Sequence, residues 1–498
     1  MAKTVTSELK VISRHSSIYG LSNILNRVVS FILLPVYTHY LTPADYGLMD
    51  LLYFTTAFIG MVLEMGINSA VSRFYFESED QKKRNLVVSS AFYGFGVGST
   101  IIVLIFIAGS RYLTELIFQE STYTNLMIIA LAGLALEIYI QAAYTYIRVR
   151  QRSHVLMIIS VVRLAMQLSL NILFVVYFEM GVLGILLGTL ISNFILVLFL
   201  VPYVLRETGF GFSREKLMEM IRFGLPLIPS NIMSYIVNVS DRYFLNAFTN
   251  LSMTGIYTLG YRFGILVNEF VASPFGQIWM PRRFEYFQKE DSERIFARIF
   301  TYFCLASFFV GLGISVLTKD VIQIISDKAY WDAYMVVPVI IMSYIIASFQ
   351  MHFNIGILIK KKTKYIMYIN ITTAIANLIL NYFLIKEYNI WGAAYATIIS
   401  FILKTTLFYI ISNRLIKIAI EWRRILKILL VAGAMYWSIT LIETGQPILN
   451  FVIKLLVCLT YPFILYLIRF FEGDELKEGW SIVRPYAARV IPWMKKEN

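Results

Sequence analysis

Apolar runs of about 20 residues or more recur from residue 16 to residue 470, separated by short polar stretches. A run of that length crosses about 30 Å of hydrocarbon as a helix. The pattern predicts an all-α, polytopic membrane protein with fourteen spans, at 16–38, 46–71, 84–109, 123–147, 154–178, 182–205, 218–246, 252–279, 294–318, 333–358, 365–385, 390–412, 425–443 and 447–469. The alternating ten-residue segments of a membrane β-barrel are absent.

The pattern also repeats. "MIISVVRLAMQLSLN" (157–171) lies against "MYINITTAIANLILN" (367–381). Met157 matches Met367 and Asn171 matches Asn381 at an offset of 210; Gly184, Thr189 and Ser192 then match Gly392, Thr397 and Ser400 at 208. A fainter pair aligns Gly47 with Gly255. An offset near 208 covers six spans, an even number, so the two copies share one orientation and are related by an axis along the membrane normal. The expected organisation is a six-helix lobe at 1–206, a cytoplasmic linker at 207–216, a second six-helix lobe at 217–413, two further helices at 414–470 and a cytoplasmic tail at 471–498. Two such lobes with a midplane site between them is a transporter architecture.

Within the spans, polar residues fall into stripes with spacings of three, four or seven, which place them on one helix face. Asn23, Arg27 and Ser30 form one; Asp50, Ala57, Glu64 and Asn68 another; Ser160, Arg163, Gln167 and Asn171 a third. Span seven carries Asn231, Tyr235, Asn238 and Arg242, and span eight Thr258, Arg262, Glu269 and Ser273. A guanidinium at the centre of a membrane helix costs roughly 2.5–3.5 kcal/mol on insertion scales. Deep arginines on such stripes therefore face a wet interior or a protein partner. Arg27, Arg262, Arg163, Arg242 and Lys404 are the candidate ligands for an anionic substrate. Glu64, Glu269 and Asp50 are the candidates for coupling to Na⁺ or H⁺; Asp50 and Glu64 lie about 21 Å apart along one helix and so belong to separate sites. Asp241–Arg242, near the outer end of its span, reads equally as interfacial anchoring. Lys454 is shallow enough to snorkel outward, and His352 reads as a proton carrier or a hydrogen-bonded filler.

Composition narrows the class further. Hydrophobic residues make up 58% of the chain and charged residues 15%, against about 25% charged in soluble domains. The net charge of +13 does not mark a nucleic-acid surface, because most Lys and Arg crowd into alternate loops and the termini. That asymmetry predicts cytoplasmic termini. The polar leader Met1–Arg14 shows no cleavable signal. Cys304 and Cys458 stand alone on separate helices, so no disulfide framework is implied. There is no P-loop, no HExxH and no Asp-x-Asp metal pair, and "GFGVG" at 94–98 lies inside a span. No cofactor, metal or enzymatic activity is expected. The outward loops near 110–122 and 319–332 are too short for the catalytic domain of an O-antigen polymerase or ligase.

The opening "SSIYGLSNILNRVVSFILLPVYTHYLTPADYGLMDLL", with "SDRYFLNAF" at 240 and "LNYFLIKEYNIWGAAYATIIS" at 380, resembles bacterial polysaccharide-export flippases, the Wzx-like branch of the multidrug/oligosaccharidyl-lipid/polysaccharide superfamily. The resemblance implies movement of an oligosaccharide on an undecaprenyl (pyro)phosphate carrier from the cytoplasmic to the outer leaflet of the bacterial inner membrane, for O-antigen, capsule or exopolysaccharide synthesis. It also implies a cationic cavity, in which Arg27 and Arg262 match arginines of relatives. Membrane lipids, Na⁺ or H⁺ and glycan polymerase or assembly proteins are the expected partners. A multidrug/cation antiporter of the same superfamily is the alternative.

Overall fold

The computed structural model describes residues 33–64, 66–473 and 475. Among the described residues the regular elements are helical and no strand occurs. Nine of these helices are long and apolar enough to cross a membrane. One of the nine, Lys364–Leu415, runs to 52 residues and contains a reversal at Asn389 (φ 52). It therefore holds two of the predicted spans, 365–385 and 390–412. The predicted seventh span corresponds to Ile228–Phe248, whose Asn, Asp and Arg residues depress its hydropathy. Most of the predicted first span lies outside the described residues.

Contacts divide the chain into two units. One runs to Tyr261 and adds Ile325–Val336 and Ile366–Ser400; the other comprises Arg262–Ile324, Val337–Tyr365 and the chain from Phe401 onward.

In the first unit, Thr124–Val149 is the central helix and packs against Gly181–Thr208, Gln81–Ala108 and Pro43–Glu64. Ile140, Ala143, Tyr146 and Ile147 meet Val87, Val88, Phe92, Leu196, Leu200 and Val204 in its core. Within the second predicted span, 46–71, Gly66 adopts φ 67 and starts the helix Ile67–Phe76. Only glycine takes that left-handed conformation without strain. Asp80 caps Gln81–Ala108 by accepting from Lys82 N at 2.9 Å. Ser213 caps the short amphipathic helix Arg214–Gly224 in the same way.

The repeated segments share a local geometry. Each reverses through a positive φ at positions 210 apart, Glu179 (φ 51) and Asn389 (φ 52). Each then brings a glycine onto the preceding helix: a Cβ on Gly184 would lie 3.0 Å from the Phe174 carbonyl carbon, and one on Gly392 would lie 2.0 Å from Leu384 O. The matched pair Gly47 and Gly255 meet directly. A Cβ on Gly47 would sit 2.2 Å from Leu251 O, and one on Gly255 1.9 Å from Pro43 O. Backbone-to-backbone approach of this kind is what small residues permit between membrane helices.

In the second unit, Ser292–Ile325 is the longest unbroken helix. Its Asp320 pairs with Lys454 of Pro447–Cys458 at 2.7 Å, and both side chains are almost wholly buried. Lys454 therefore does not snorkel outward. A neighbouring helix supplies a carboxylate, which the sequence of its own span cannot reveal. Farther along the chain, Arg424 holds Glu475 through two hydrogen bonds of 2.8 and 3.0 Å.

Candidate substrate and coupling site

The close approach at Gly47 and Gly255 brings Pro43–Glu64 against Leu251–Gly264. One turn farther on, buried Asp50 accepts a hydrogen bond from Thr258 Oγ1 at 2.9 Å. Beside it, Asp241 pairs with Arg242 Nη1 at 2.6 Å and accepts from Tyr257 OH at 2.7 Å. The same Arg242 nitrogen donates to Asn238 O at 2.8 Å. The guanidinium carbon stands 3.8 Å from the centre of the Tyr261 ring and 5.2 Å from that of Tyr257, within cation–π range. Hydroxyls line the approach: Thr55 and Tyr243 are 2.9 Å apart, and Tyr235 OH donates to Phe54 O at 2.7 Å. Asp241 and Arg242 are each 2% exposed, so interfacial anchoring does not describe them. The pair is an internal ion pair held among aromatic rings.

A second pair lies elsewhere in the first unit. Arg163 Nη2 meets Glu137 Oε2 at 2.5 Å, and the carboxylate also receives Gln141 Nε2 at 2.7 Å and Asn193 Nδ2 at 3.2 Å. Glu137 heads a polar stripe with Gln141 and Thr145 at four-residue spacing, but its pairing with Arg163 joins two helices and is invisible in either alone. Glu64, half-buried at the last position of Pro43–Glu64, is within electrostatic reach of Glu137.

The remaining candidates divide as follows. Arg27 lies outside the described residues. Arg262 falls in the last turn of Leu251–Gly264, and Glu269 is the second residue of the π-helical turn Asn268–Ala272; both are half-buried and belong to the second unit. Lys404, also of the second unit, is half-buried on Lys364–Leu415. The structure thus gathers Asp50 and Arg242 into one cluster and joins Arg163 to Glu137.

A search for charged residues overlooks a neutral network. Ser240 Oγ donates to Asn377 Oδ1, Asn377 Nδ2 to Ser400 Oγ, and Asn381 Nδ2 to both Ser240 Oγ and Asn377 Oδ1, all at 3.1 Å. Asn377 and Asn381 are four residues apart on one helix face, a spacing that marks them as a stripe. His352 is also resolved. It is buried, with its ring against Phe275, Trp279, Phe300 and Phe303. Neither of its nitrogens has a hydrogen-bond partner, so it is not a hydrogen-bonded filler.

This arrangement can hold anions against guanidinium and ammonium groups, and protons or cations against carboxylates. The family model described as "Polysaccharide biosynthesis protein" matches residues 12–287. No curated protein matches the chain in sequence. Among solved structures, the lipid II flippase MurJ in an inward closed conformation superposes with a TM-score of 0.73 at 14% identity, over 91% of this chain and 99% of that one. An inward-facing multidrug resistance MATE family transporter of the MOP superfamily gives 0.64 at 15% identity, over 81% and 95%. A MATE protein in complex with MaD3S gives 0.55 at 15% identity, over 84% and 96%. The shared property is the fold, that of a multi-pass membrane transporter.

Proposed function

The chain belongs to the polysaccharide biosynthesis protein family, and on that basis we propose that it is a flippase. Its cargo is an oligosaccharide on a polyprenyl (pyro)phosphate, moved by alternating access from the cytoplasmic to the outer leaflet of the inner membrane for O-antigen, capsule or exopolysaccharide synthesis. The observation that carries this reading is the coincidence of the family match with a flippase fold over 91% of the chain. The two six-helix lobes at 1–206 and 217–413, with both termini cytoplasmic, are part of the same reading.

Arg27 and Arg262 bind the phosphate groups, aided by Lys404. Guanidinium suits this task because its planar fork matches phosphate oxygens. Arg163 and Arg242 already hold carboxylates, so they contribute only when those pairs open. Glu64, Glu269 and Asp50 couple Na⁺ or H⁺. The membrane potential, worth about 2.3 kcal/mol per charge per 100 mV, drives an exposed anion outward as well. The MATE likeness favours a second reading, multidrug/cation antiport. A cation site would use Asp50 and Asp241, but Asp241 is already neutralised by Arg242.

The test is glycan display in a flippase-deficient strain, normalised to membrane protein level. Arg27→Ala and Arg262→Ala should nearly abolish display, and Arg27→Lys should retain part of it. Glu64→Gln should remove dependence on an ion gradient and leave the protein abundant. Near-normal display by both alanine variants would contradict the assigned phosphate ligands.

A further inference from the structure

Three arginines are buried among the described residues: Arg242, Arg283 and Arg424. Two of them hold carboxylates, Arg242 through Asp241 and Arg424 through Glu421 and Glu475. Arg283 holds none. It lies on Ser273–Phe287 and is 6% exposed. Its Nη1 donates to Asn354 Oδ1 at 2.7 Å and Met351 O at 3.1 Å, both neutral oxygens. Its Nε has no hydrogen-bond partner, which is equally true of Arg242 and Arg424, so the missing carboxylate is what sets it apart.

The surroundings share the same shortage. Trp279, one turn earlier on the helix, leaves Nε1 buried without an acceptor, and both nitrogens of His352 are unpartnered. The Trp279 and His352 rings stand 5.0 Å apart. A buried charge without a counter-charge costs several kcal/mol, and each unsatisfied buried polar group about 1–3 kcal/mol. The guanidinium, Trp279 Nε1 and one nitrogen of His352 are donors without an anion, the chemical complement of an oxyanion with several acceptor oxygens; the other nitrogen of a neutral His352 ring is an acceptor.

Position narrows the anion. Arg283 precedes the helix end at Phe287 by four residues, about 6 Å along the axis. Exposed Arg282 and Lys289 flank it, offset by exposed Glu285, Glu290 and Asp291, and the uninterrupted basic run is exposed Lys360–Lys362, which follows Ile355–Ile359, the helix just after Asn354. Basic residues at the end of a membrane helix lie at the depth of lipid phosphates and attract them.

We propose that Arg283, oriented by Asn354, binds the phosphate group of a membrane lipid in the second unit. The phosphate has two possible sources, the polyprenyl carrier or an anionic phospholipid. Only the first rests on the flippase reading. Asn354 is a positioning residue: its side-chain oxygen holds the guanidinium without neutralising it.

The experiment uses the full chain in neutral phosphatidylcholine nanodiscs, with bound lipid counted by native mass spectrometry. The probes are undecaprenyl phosphate, phosphatidylglycerol and uncharged undecaprenol. Wild type should bind at least one of the phosphate lipids and not undecaprenol. Arg283→Gln should weaken that binding about ten-fold or more, and Arg283→Lys by less. Asn354→Asp gives the guanidinium an internal carboxylate, so it should weaken binding as strongly while leaving the fold intact. It keeps the proposal testable if Arg283→Gln fails to fold. Preference for undecaprenyl phosphate makes this a carrier subsite; equal or stronger binding of phosphatidylglycerol makes it a phospholipid site. Unchanged binding in the variants, or equal retention of undecaprenol, would overturn the proposal. Binding is read without transport, so loss of the flippase reading would leave a phospholipid result standing.

Discussion

Arg242 and Arg283 are buried almost equally, 2% and 6% exposed, but they are kept in opposite ways. Arg242 has a carboxylate at 2.6 Å and a tyrosine ring under it at 3.8 Å. Arg283 has a backbone carbonyl and an amide oxygen. Burial alone therefore does not say what a membrane arginine is for; its counter-charge does. A guanidinium with its own carboxylate is closed within the fold. One that meets only neutral oxygens and a ring, as Arg283 does with the Phe284 ring 5.1 Å away, is poised for an anion from outside.

The largest expected effect tests the packing beneath the closed region. In Gly47→Ala the new methyl would sit 2.2 Å from a backbone carbonyl oxygen, which no rotamer change relieves. The cost should exceed the roughly 1–3 kcal/mol of ordinary overpacking. Size-exclusion chromatography of purified protein should show little or no monodisperse species. Normal yield and melting temperature would mean that the two helices do not cross as described. Next comes the pair itself. Asp241→Asn takes away the carboxylate paired with Arg242 and leaves only Asp50 of the same cluster as a counter-charge, which should cost up to about 3–5 kcal/mol and lower the melting temperature. Adding Arg242→Gln to it should recover part of the loss.

The Lys454–Asp320 pair sharpens the same rule in the other unit. Lys454→Met alone should cost about 3–5 kcal/mol, whereas Lys454→Met with Asp320→Leu should be neutral or stabilising. A double variant as weak as the single one would show that something other than charge pairing is at work. The smallest effect belongs to Arg283→Gln. Relief of a lone buried charge offsets two lost charge-assisted hydrogen bonds, each worth about 1.5–3 kcal/mol, so thermal unfolding should shift less than in Asp241→Asn. A collapse as large as that of Asp241→Asn would erase the contrast between the two arginines.

The helical class was legible because it rests on a periodicity a single chain displays, and the repeat was expected on the same ground. The offset of 210 even aligns the two reversals, Glu179 and Asn389, although neither residue type announces a turn. Contacts between spans were less legible. Arg163 and Arg242 stood out as charges on stripes, but Glu137 beneath Arg163 and Asp320 beneath Lys454 belong to neighbouring helices, and no spacing within one span encodes them. The helix start at Gly66 was missed because a glycine inside an apolar run is as common in helix packing as in a helix end. Arg283 was overlooked for a related reason: it lies beyond the predicted limit of its span at 279, where an arginine ordinarily counts only toward topology.

The most direct measurement follows a polyprenyl-phosphate-linked oligosaccharide across the bilayer of proteoliposomes containing the purified chain. The transferred fraction is read by a membrane-impermeant lectin or glycosidase. The account predicts protein-dependent transfer that fails in Arg27→Ala and Arg262→Ala and is enhanced by a potential negative on the side of origin. Transfer no faster than in protein-free vesicles, with a cationic drug moved instead, would contradict it.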